Sequence, residues 1–256
     1  MFSKLKFESF LDLPCFGLHI TEKFIRIADS LGNLTEVPCG KDKIFSVKKA
    51  VKQASLRTPF AAISIPEKHS FIKFIAHGGD PKRRIRENIP IPIKKLCYDT
   101  YEHNNHLFIA AGVKKIVDEY IEITEGAGLV VTAIEPASLA TARNLKPKKG
   151  FVLIIDVESA GSSFIISSSH LVYFTAFRSK ESLPGKDQIV LQALEYINFF
   201  EDRFQKTIDG VVLSGEELKI INLENLEEKI GRPVKIAKEP AFNTAIGLSK
   251  RPNKKQ

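Results

Sequence analysis

Two strand-like segments, Phe16 to Ala28 and Phe151 to Ile166, place the strongest constraint on the fold of this chain. Both are rich in apolar and β-branched residues, and both lead through turn residues into a return strand, which is typical of a β-hairpin. Behind each hairpin, apolar runs alternate with segments of helical spacing, such as 43–56 and 189–204. Two halves built in this way predict an α/β chain of two related lobes.

The composition is that of a globular protein. The 256 residues are 43% hydrophobic and 27% charged, which is enough to bury a sizeable core. No apolar run reaches the ~18 residues of a membrane span, and charged residues interrupt the N-terminal segment, so we expect neither a span nor a secretory signal. Cys15, Cys39 and Cys97 lack the spacing of a zinc site or a disulfide framework. We therefore expect a cytoplasmic protein.

The net charge of +8 lies in the first half of the chain. Residues 1–149 carry 24 basic and 16 acidic side chains, whereas residues 150–256 carry 14 of each. Such an excess favours an acidic partner, an anionic lipid surface or nucleic acid, although solubility alone also explains it. The densest basic cluster, Lys82-Arg83-Arg84-Ile85-Arg86, lacks the interleaved aromatic residues of a single-strand binding site, so nucleic acid is the weakest alternative.

A series of short motifs follows a recognisable order along nearly the whole chain. They are Phe16-Gly17-Leu18-His19-Ile20, Ala62-Ile63-Ser64-Ile65-Pro66, Phe71-Ile72-Lys73-Phe74, Ile89-Pro90-Ile91-Pro92-Ile93, Tyr98-Asp99, Ala110-Ala111, Gly126-Ala127-Gly128-Leu129, Ile154-Ile155-Asp156-Val157, Asn198-Phe199-Phe200, Val212-Leu213-Ser214-Gly215 and Ala245-Ile246-Gly247-Leu248. In this order they resemble the type IV pilus assembly proteins of the PilM family, relatives of the division protein FtsA within the actin-like ATPase superfamily.

The resemblance implies a two-lobed actin-like, ribonuclease H-like ATPase fold. The first lobe would span 13–149 and include a small inserted α+β subdomain at about 59–122. A reduced second lobe would span 150–248, with flexible tails at 1–12 and 249–256. The connection from Ala176 to Val190 is too short for the helical subdomain that family members place over the nucleotide.

The first phosphate loop of the family has the form G-x-D-x-G followed by a lysine. The carboxylate orients magnesium-bound water, and the glycine lets backbone N–H groups approach phosphate. In this chain His19 stands in the carboxylate position, Thr21 in the glycine position and Arg26 in the lysine position. An imidazole is a poor ligand for a hard divalent cation, which argues against catalysis. A partly buried histidine bonded to backbone explains His19 better than a metal-binding or acid-base role does.

The second phosphate loop of the family, D-x-G-x-x-x-T, is also altered. Asp156 is retained, whereas Glu158 replaces the glycine and Ser162 the threonine. A carboxylate at residue 158 would repel the phosphates. Of the glycine-rich adenosine motif only Ser214-Gly215 remains, followed by two glutamates. Asp156 has an alternative role as a turn or capping residue at the end of a strand.

These positions define a vestigial nucleotide site with no catalytic or metal-binding residue. Its members are Gly17, His19, Arg26, Asp156, Ser159, Gly161, Ser162, Ser214 and Gly215. We expect no cofactor, or ATP with Mg²⁺ if the site still functions.

The resemblance implies a cytoplasmic scaffold at the inner face of the cell membrane, in type IV pilus or related secretion machinery. It would be a pseudo-ATPase that binds the N-terminal peptide of an inner-membrane partner resembling PilN, with self-association as a further possibility. Ile65, Pro66, Phe71 and Phe74 are the candidate groove residues, since an extended peptide needs an apolar floor beside a strand edge, although each also fits ordinary core. The alternative function is an ATP-binding member that still hydrolyses slowly.

Overall fold

A computed structural model of the chain describes residues 15–183, 186–221 and 223–251. Within these residues there are thirteen strands and seven helices. The strands are β1 Phe16–Ile20, β2 Phe24–Ala28, β3 Leu34–Pro38, β4 Phe60–Ile65, β5 Ser70–Ala76, β6 Leu96–His103, β7 His106–Val113, β8 Val130–Pro136, β9 Phe151–Glu158, β10 Gly161–Ser168, β11 Val172–Ser179, β12 Gly210–Gly215 and β13 Val234–Ile236. The helices are α1 Lys43–Ala54, α2 Pro81–Asn88, α3 Lys114–Gly126, α4 Ala137–Leu145, α5 Lys186–Phe204, α6 Leu223–Ile230 and α7 Asn243–Ser249. The expected tail at 1–12 lies outside the described residues. Residues 252–256 of the expected tail at 249–256 also lie outside them.

The two lobes are built on sheets of the same topology. The first sheet has the order β3-β2-β1-β4-β8 and the second the order β11-β10-β9-β12-β13. In each, the leading strand pairs antiparallel with its hairpin partner and parallel with the strand after the first helix of the lobe. The prediction of two related α/β lobes is therefore confirmed.

A separate three-stranded antiparallel sheet, β5-β7-β6, forms the inserted unit. Helix α2 covers one face of it and buries Ile85 in a small core of its own. The three strands of the inserted sheet and helix α2 lie within residues 70–113. At the ends of the predicted range of 59–122, strand β4 pairs in parallel with β1 and β8 of the first lobe, and α3 contributes Val117 and Tyr120 to the first-lobe core. The bounds of the inserted subdomain stay a prediction.

The last helix joins the two lobes. Helix α7 packs closely on β1 and α4 of the first lobe, although it follows the second-lobe strands in the chain, so the predicted second lobe of 150–248 includes a segment that packs on the first. A Cβ on Gly247 would lie 1.8 Å from the carbonyl oxygen of Ala140, and one on Gly17 would lie 1.9 Å from that of Ala245. Backbones approach this closely only where the side chain is a hydrogen atom.

Two structural details concern the length and character of the helices and connections. No helix in the described part of the chain is both long and apolar enough to cross a membrane. Strand β11 ends at Ser179 and α5 begins at Lys186, so the connection between them is too short for a further helical subdomain, as the sequence predicts.

Candidate functional site

The turn between β1 and β2 is closed by the side chain of Thr21. Its hydroxyl accepts hydrogen bonds from the backbone N–H groups of Phe24, at 2.9 Å, and Lys23, at 3.3 Å, and donates to the Phe24 carbonyl at 3.1 Å. The backbone N–H of Thr21 also donates to the Phe24 carbonyl, at 2.8 Å. The first phosphate loop is predicted at this turn, and three of its backbone donors are already bonded within it.

The turn between β9 and β10 uses a carboxylate of the chain in a similar way. The backbone N–H of Ser159 donates to Glu216 Oε1 at 3.0 Å. Glu216 follows β12, whose last residue, Gly215, pairs with Val157 of β9. A Cβ on Gly215 would lie 2.1 Å from the Val157 carbonyl oxygen, so only glycine allows this approach. The Glu216 carboxylate therefore accepts the hydrogen bond that this backbone N–H would donate to a phosphate in the second phosphate loop.

Arg26 connects the lobes from a fully buried position. Its side chain is 1% exposed, and its Nε donates to Glu36 Oε2 at 2.7 Å within the first lobe. Its Nη2 donates to Glu216 Oε2, in the second lobe, at 2.5 Å. The guanidinium also lies 5.0 Å from the centre of the Phe24 ring. Because Glu216 binds both Arg26 and the Ser159 amide, this carboxylate joins the two predicted phosphate turns.

Two further pairs cross between the lobes beside Arg26. Lys23, in the β1–β2 turn, forms an ion pair with Glu217. His19 Nε2 lies 3.4 Å from Glu158 Oε1, at the end of β9. We call the set His19, Lys23, Arg26, Glu36, Glu158, Glu216 and Glu217 the interlobe network. Sequence reasoning did not assign roles to Lys23, Glu36, Glu216 or Glu217; the two glutamates after the shortened adenosine motif were the available signal.

The predicted nucleotide-site residues divide into two groups. His19, Arg26, Ser159 and Gly215 lie in or against the interlobe network. Asp156 and Ser214 lie beside it, where the Ser214 hydroxyl donates to the Pro240 carbonyl at 3.1 Å.

The other three predicted residues serve packing. Gly17 receives α7. Gly161 has a φ of 149° and lies against the backbone of Arg178, and Ser162 is buried within the sheet.

The predicted partner-binding residues are not brought into one groove. Ile65 is 2% exposed in the first-lobe core. Phe71 packs on the core of the inserted unit, whereas Phe74 stacks on His106 and contacts Tyr173 of the second lobe. Residues 71 and 74 are separated by an odd number of positions along β5, so their side chains lie on opposite faces of the sheet. Pro66 is half-buried after β4. The four residues therefore do not share one face, and their role in binding a partner stays a prediction.

Several solved structures have a similar fold. PilM in the "PilM-PilN type IV pilus biogenesis complex" matches with a TM-score of 0.76 and 14% identity, over 93% of this chain and 98% of that one. The cytoplasmic domain of EpsL, an inner-membrane component of the type II secretion system of Vibrio cholerae, matches with a TM-score of 0.61 and 6% identity, over 93% and 94% of the two chains.

The chain has an actin-like ATPase fold. MreB5 of Spiroplasma citri bound to AMPPNP shares this fold with a TM-score of 0.50 and 9% identity, over 93% of this chain and 95% of that one. No protein-family model and no curated protein matches the sequence. These structural matches confirm the predicted fold class and the likeness to PilM that the order of the motifs indicates.

The residues of this actin-like cleft do not fit Mg-ATP. Backbone donors at both phosphate turns are bonded to Thr21 and Glu216, and Glu158 and Glu216 place carboxylates beside them. Triphosphate oxygens in the same place would meet the Glu216 carboxylate and occupied donors. Among the described residues no group of three or more acidic, histidine or cysteine side chains is arranged to hold a metal ion.

Burial sets the protonation of the groups in the cleft. Desolvation and the nearby Arg26 charge lower the pKa of His19 to about 3. Burial raises the pKa of Asp156 to about 6, although Ser214 and Arg26 act in the opposite direction. Burial also raises the pKa of Glu158, with the negative charges of Asp156 and Glu216 adding to the effect. The contact between His19 and Glu158 therefore joins two groups that both favour the neutral form.

Asp156 and His19 should give opposite pH dependences of stability. The Asp156 pKa is raised in the folded state, so its contribution to the free energy of unfolding falls as pH rises from about 4 to about 6. The His19 pKa is lowered, so its contribution falls as pH decreases from about 6.5 to about 3. As pH rises from 4 to 6, the free energy of unfolding of Asp156→Asn should rise by about 2–3 kcal/mol relative to wild type. The free energy of unfolding of His19→Asn should fall relative to wild type over the same pH range. Urea unfolding at several pH values measures both; slopes of the same sign would contradict the assignment.

Proposed function

We propose that the chain is a cytoplasmic scaffold of type IV pilus or related secretion machinery that binds an inner-membrane partner and does not use ATP. The observation that carries the proposal is the match to PilM of the PilM-PilN complex, which extends over nearly the whole of both chains. The match to the EpsL cytoplasmic domain supports the same cellular setting. At these identities the likeness concerns the fold, so the partner needs a direct test.

The interlobe network supports the absence of ATP use. A nucleotide-dependent clamp must present free donors and close around its ligand, whereas here Arg26 and Glu216 already join the two lobes. The chain would then work as a preassembled platform, in which the lobes hold the inserted unit in one position. A partner would recognise that surface rather than a nucleotide-dependent state.

The surface beside β5 is the part of the predicted groove that a peptide can reach. Phe71, Lys73 and Phe177 are among the residues that line a cavity of about 240 Å³ between β5 and β11. Both strands are at the edges of their sheets in the described residues, so a peptide could bond to backbone there while an apolar side chain enters the cavity. We infer that the N-terminal peptide of a PilN-like protein binds here.

Calorimetric titration with the N-terminal peptide of a PilN-like inner-membrane protein tests the proposal. Wild type should bind it, and Phe71→Ala should weaken binding at least tenfold, because a buried aromatic anchor contributes about 2 kcal/mol. Leu191→Ala is the matched control, since Leu191 is an exposed apolar residue on α5, and it should bind like wild type. If wild type did not bind the peptide, the proposed partner would be wrong. If both variants weakened binding equally, the proposed binding surface beside β5 would be wrong.

A further inference from the structure

The inserted unit carries a set of exposed cations on its outer side. Helix α2 buries Ile85 against the sheet and turns the opposite side of the helix to solvent. The 3-10 turn Ile93–Lys95 packs beside α2. The exposed cations of these two segments, which we call the basic face, are Lys82, Arg83, Arg86, Lys94 and Lys95.

The charge of the basic face is largely uncompensated. Residues 82–95 hold six basic side chains and one acidic side chain, a net charge of +5 against +8 for the whole chain. The single acid, Glu87, accepts from Arg83 Nε at 2.8 Å and Arg84 Nη1 at 2.9 Å. The other four cations, Lys82, Arg86, Lys94 and Lys95, have no ion-pair partner among the described residues. Asp80 serves as the N-cap of α2, where it accepts from the backbone of Lys82 at 3.2 Å.

Apolar residues lie between the two basic segments. Pro90 and Pro92 are exposed, and Ile91 and Ile93 are half-buried. The prolines hold this stretch out of helical geometry, so it links the helix to the turn as an apolar segment at the surface. Exposed cations beside surface prolines match an anionic membrane interface, where positive charge meets lipid headgroups.

We propose that the basic face binds anionic phospholipid headgroups and orients the inserted unit against a membrane. The proposal deepens the proposed function and rests on it only for placing the chain near a membrane. A nucleic-acid partner fits less well, because residues 82–95 contain no aromatic side chain for base stacking. An acidic peptide fits less well, because the cations lie on an outward helix surface rather than around a groove.

Co-sedimentation of the full chain with vesicles tests the proposal. Vesicles of phosphatidylcholine with a minority of phosphatidylglycerol should bind the protein, vesicles of phosphatidylcholine alone should not, and added salt should release it. The triple variant Lys82→Gln, Arg86→Gln and Lys95→Gln should lower the partition coefficient on the order of a hundredfold, since each cation near an anionic surface contributes about fivefold.

A matched triple variant on another helix controls for net charge. Lys48→Gln, Lys49→Gln and Lys52→Gln remove three exposed lysines from α1 of the first lobe and should leave most of the binding intact. Equal loss in both triples, equal binding to neutral vesicles, no binding by wild type, or tighter binding to single-stranded DNA at the same salt would each overturn the proposal. The vesicles contain no protein or peptide, so this result is independent of the peptide titration.

Discussion

Replacing Arg26 with methionine is expected to lower the free energy of unfolding by about 3–5 kcal/mol. The methionine fills similar space but leaves Glu216, whose side chain is 6% exposed, without the guanidinium that it accepts from at 2.5 Å. An uncompensated buried carboxylate costs more than the original pair contributes, which is why removing one partner has a large effect. Chemical denaturation at neutral pH measures the loss.

A double-mutant cycle separates this effect from packing. Adding Glu216→Gln to Arg26→Met should recover part of the loss, since the partner's charge is removed as well, and the two single effects should not add. Arg83→Met is the matched control, because Arg83 pairs with Glu87 on the exposed surface of α2, and it should change stability little. Additive losses at residues 26 and 216 would show that their contact carries no coupling.

Replacing Gly247 with alanine is expected to cost about 3 kcal/mol. Helix propensity alone would predict a gain of about 1 kcal/mol, because Gly247 lies within α7. The new Cβ would lie 1.8 Å from the carbonyl oxygen of Ala140, and a backbone atom cannot rotate away as a side chain can. Gly17→Ala should act in the same way through the 1.9 Å approach to the carbonyl of Ala245. Both substitutions force α7 away from the first lobe.

Gly78→Ala provides the control for these two glycine substitutions. Nothing lies within 4 Å of the Cβ that it would add, so the free energy of unfolding should stay within about 0.5 kcal/mol of wild type. Thermal and urea unfolding of the three variants give the comparison. If Gly247→Ala and Gly17→Ala behaved like Gly78→Ala, α7 would not pack against β1 and α4 as closely as described.

Much of the fold could be predicted because the lobes are built from strongly apolar hairpins and helices. The elements that were missed have weak local signals. Strand β6 carries Asp99 and Glu102 on an exposed sheet edge, and α7 includes Asn243, Thr244 and Gly247, which favour helices poorly. Before α6 begins at Leu223, Leu218–Ile220 forms a separate 3-10 turn. Tertiary contacts decide these cases.

The candidate site was predicted only in part, for a similar reason. His19, Thr21 and Glu158 stand at positions where the family pattern expects other residues, so their departure was visible in the sequence. The pair of Arg26 with Glu216 spans 190 residues, and no local spacing can reveal such a contact. The grouping of Phe71 with Phe74 failed because strand periodicity, once β5 is known, places them on opposite faces.

Calorimetric titration of the full chain with Mg-ATP tests most directly whether the protein's own side chains have replaced the nucleotide. Because Thr21 and Glu216 occupy the phosphate-loop donors, and Arg26 already joins the lobes, we predict no saturable heat and no rise in melting temperature. Saturable binding at micromolar Mg-ATP, accompanied by a higher melting temperature, would show that the interlobe network opens to admit the nucleotide and would contradict this account.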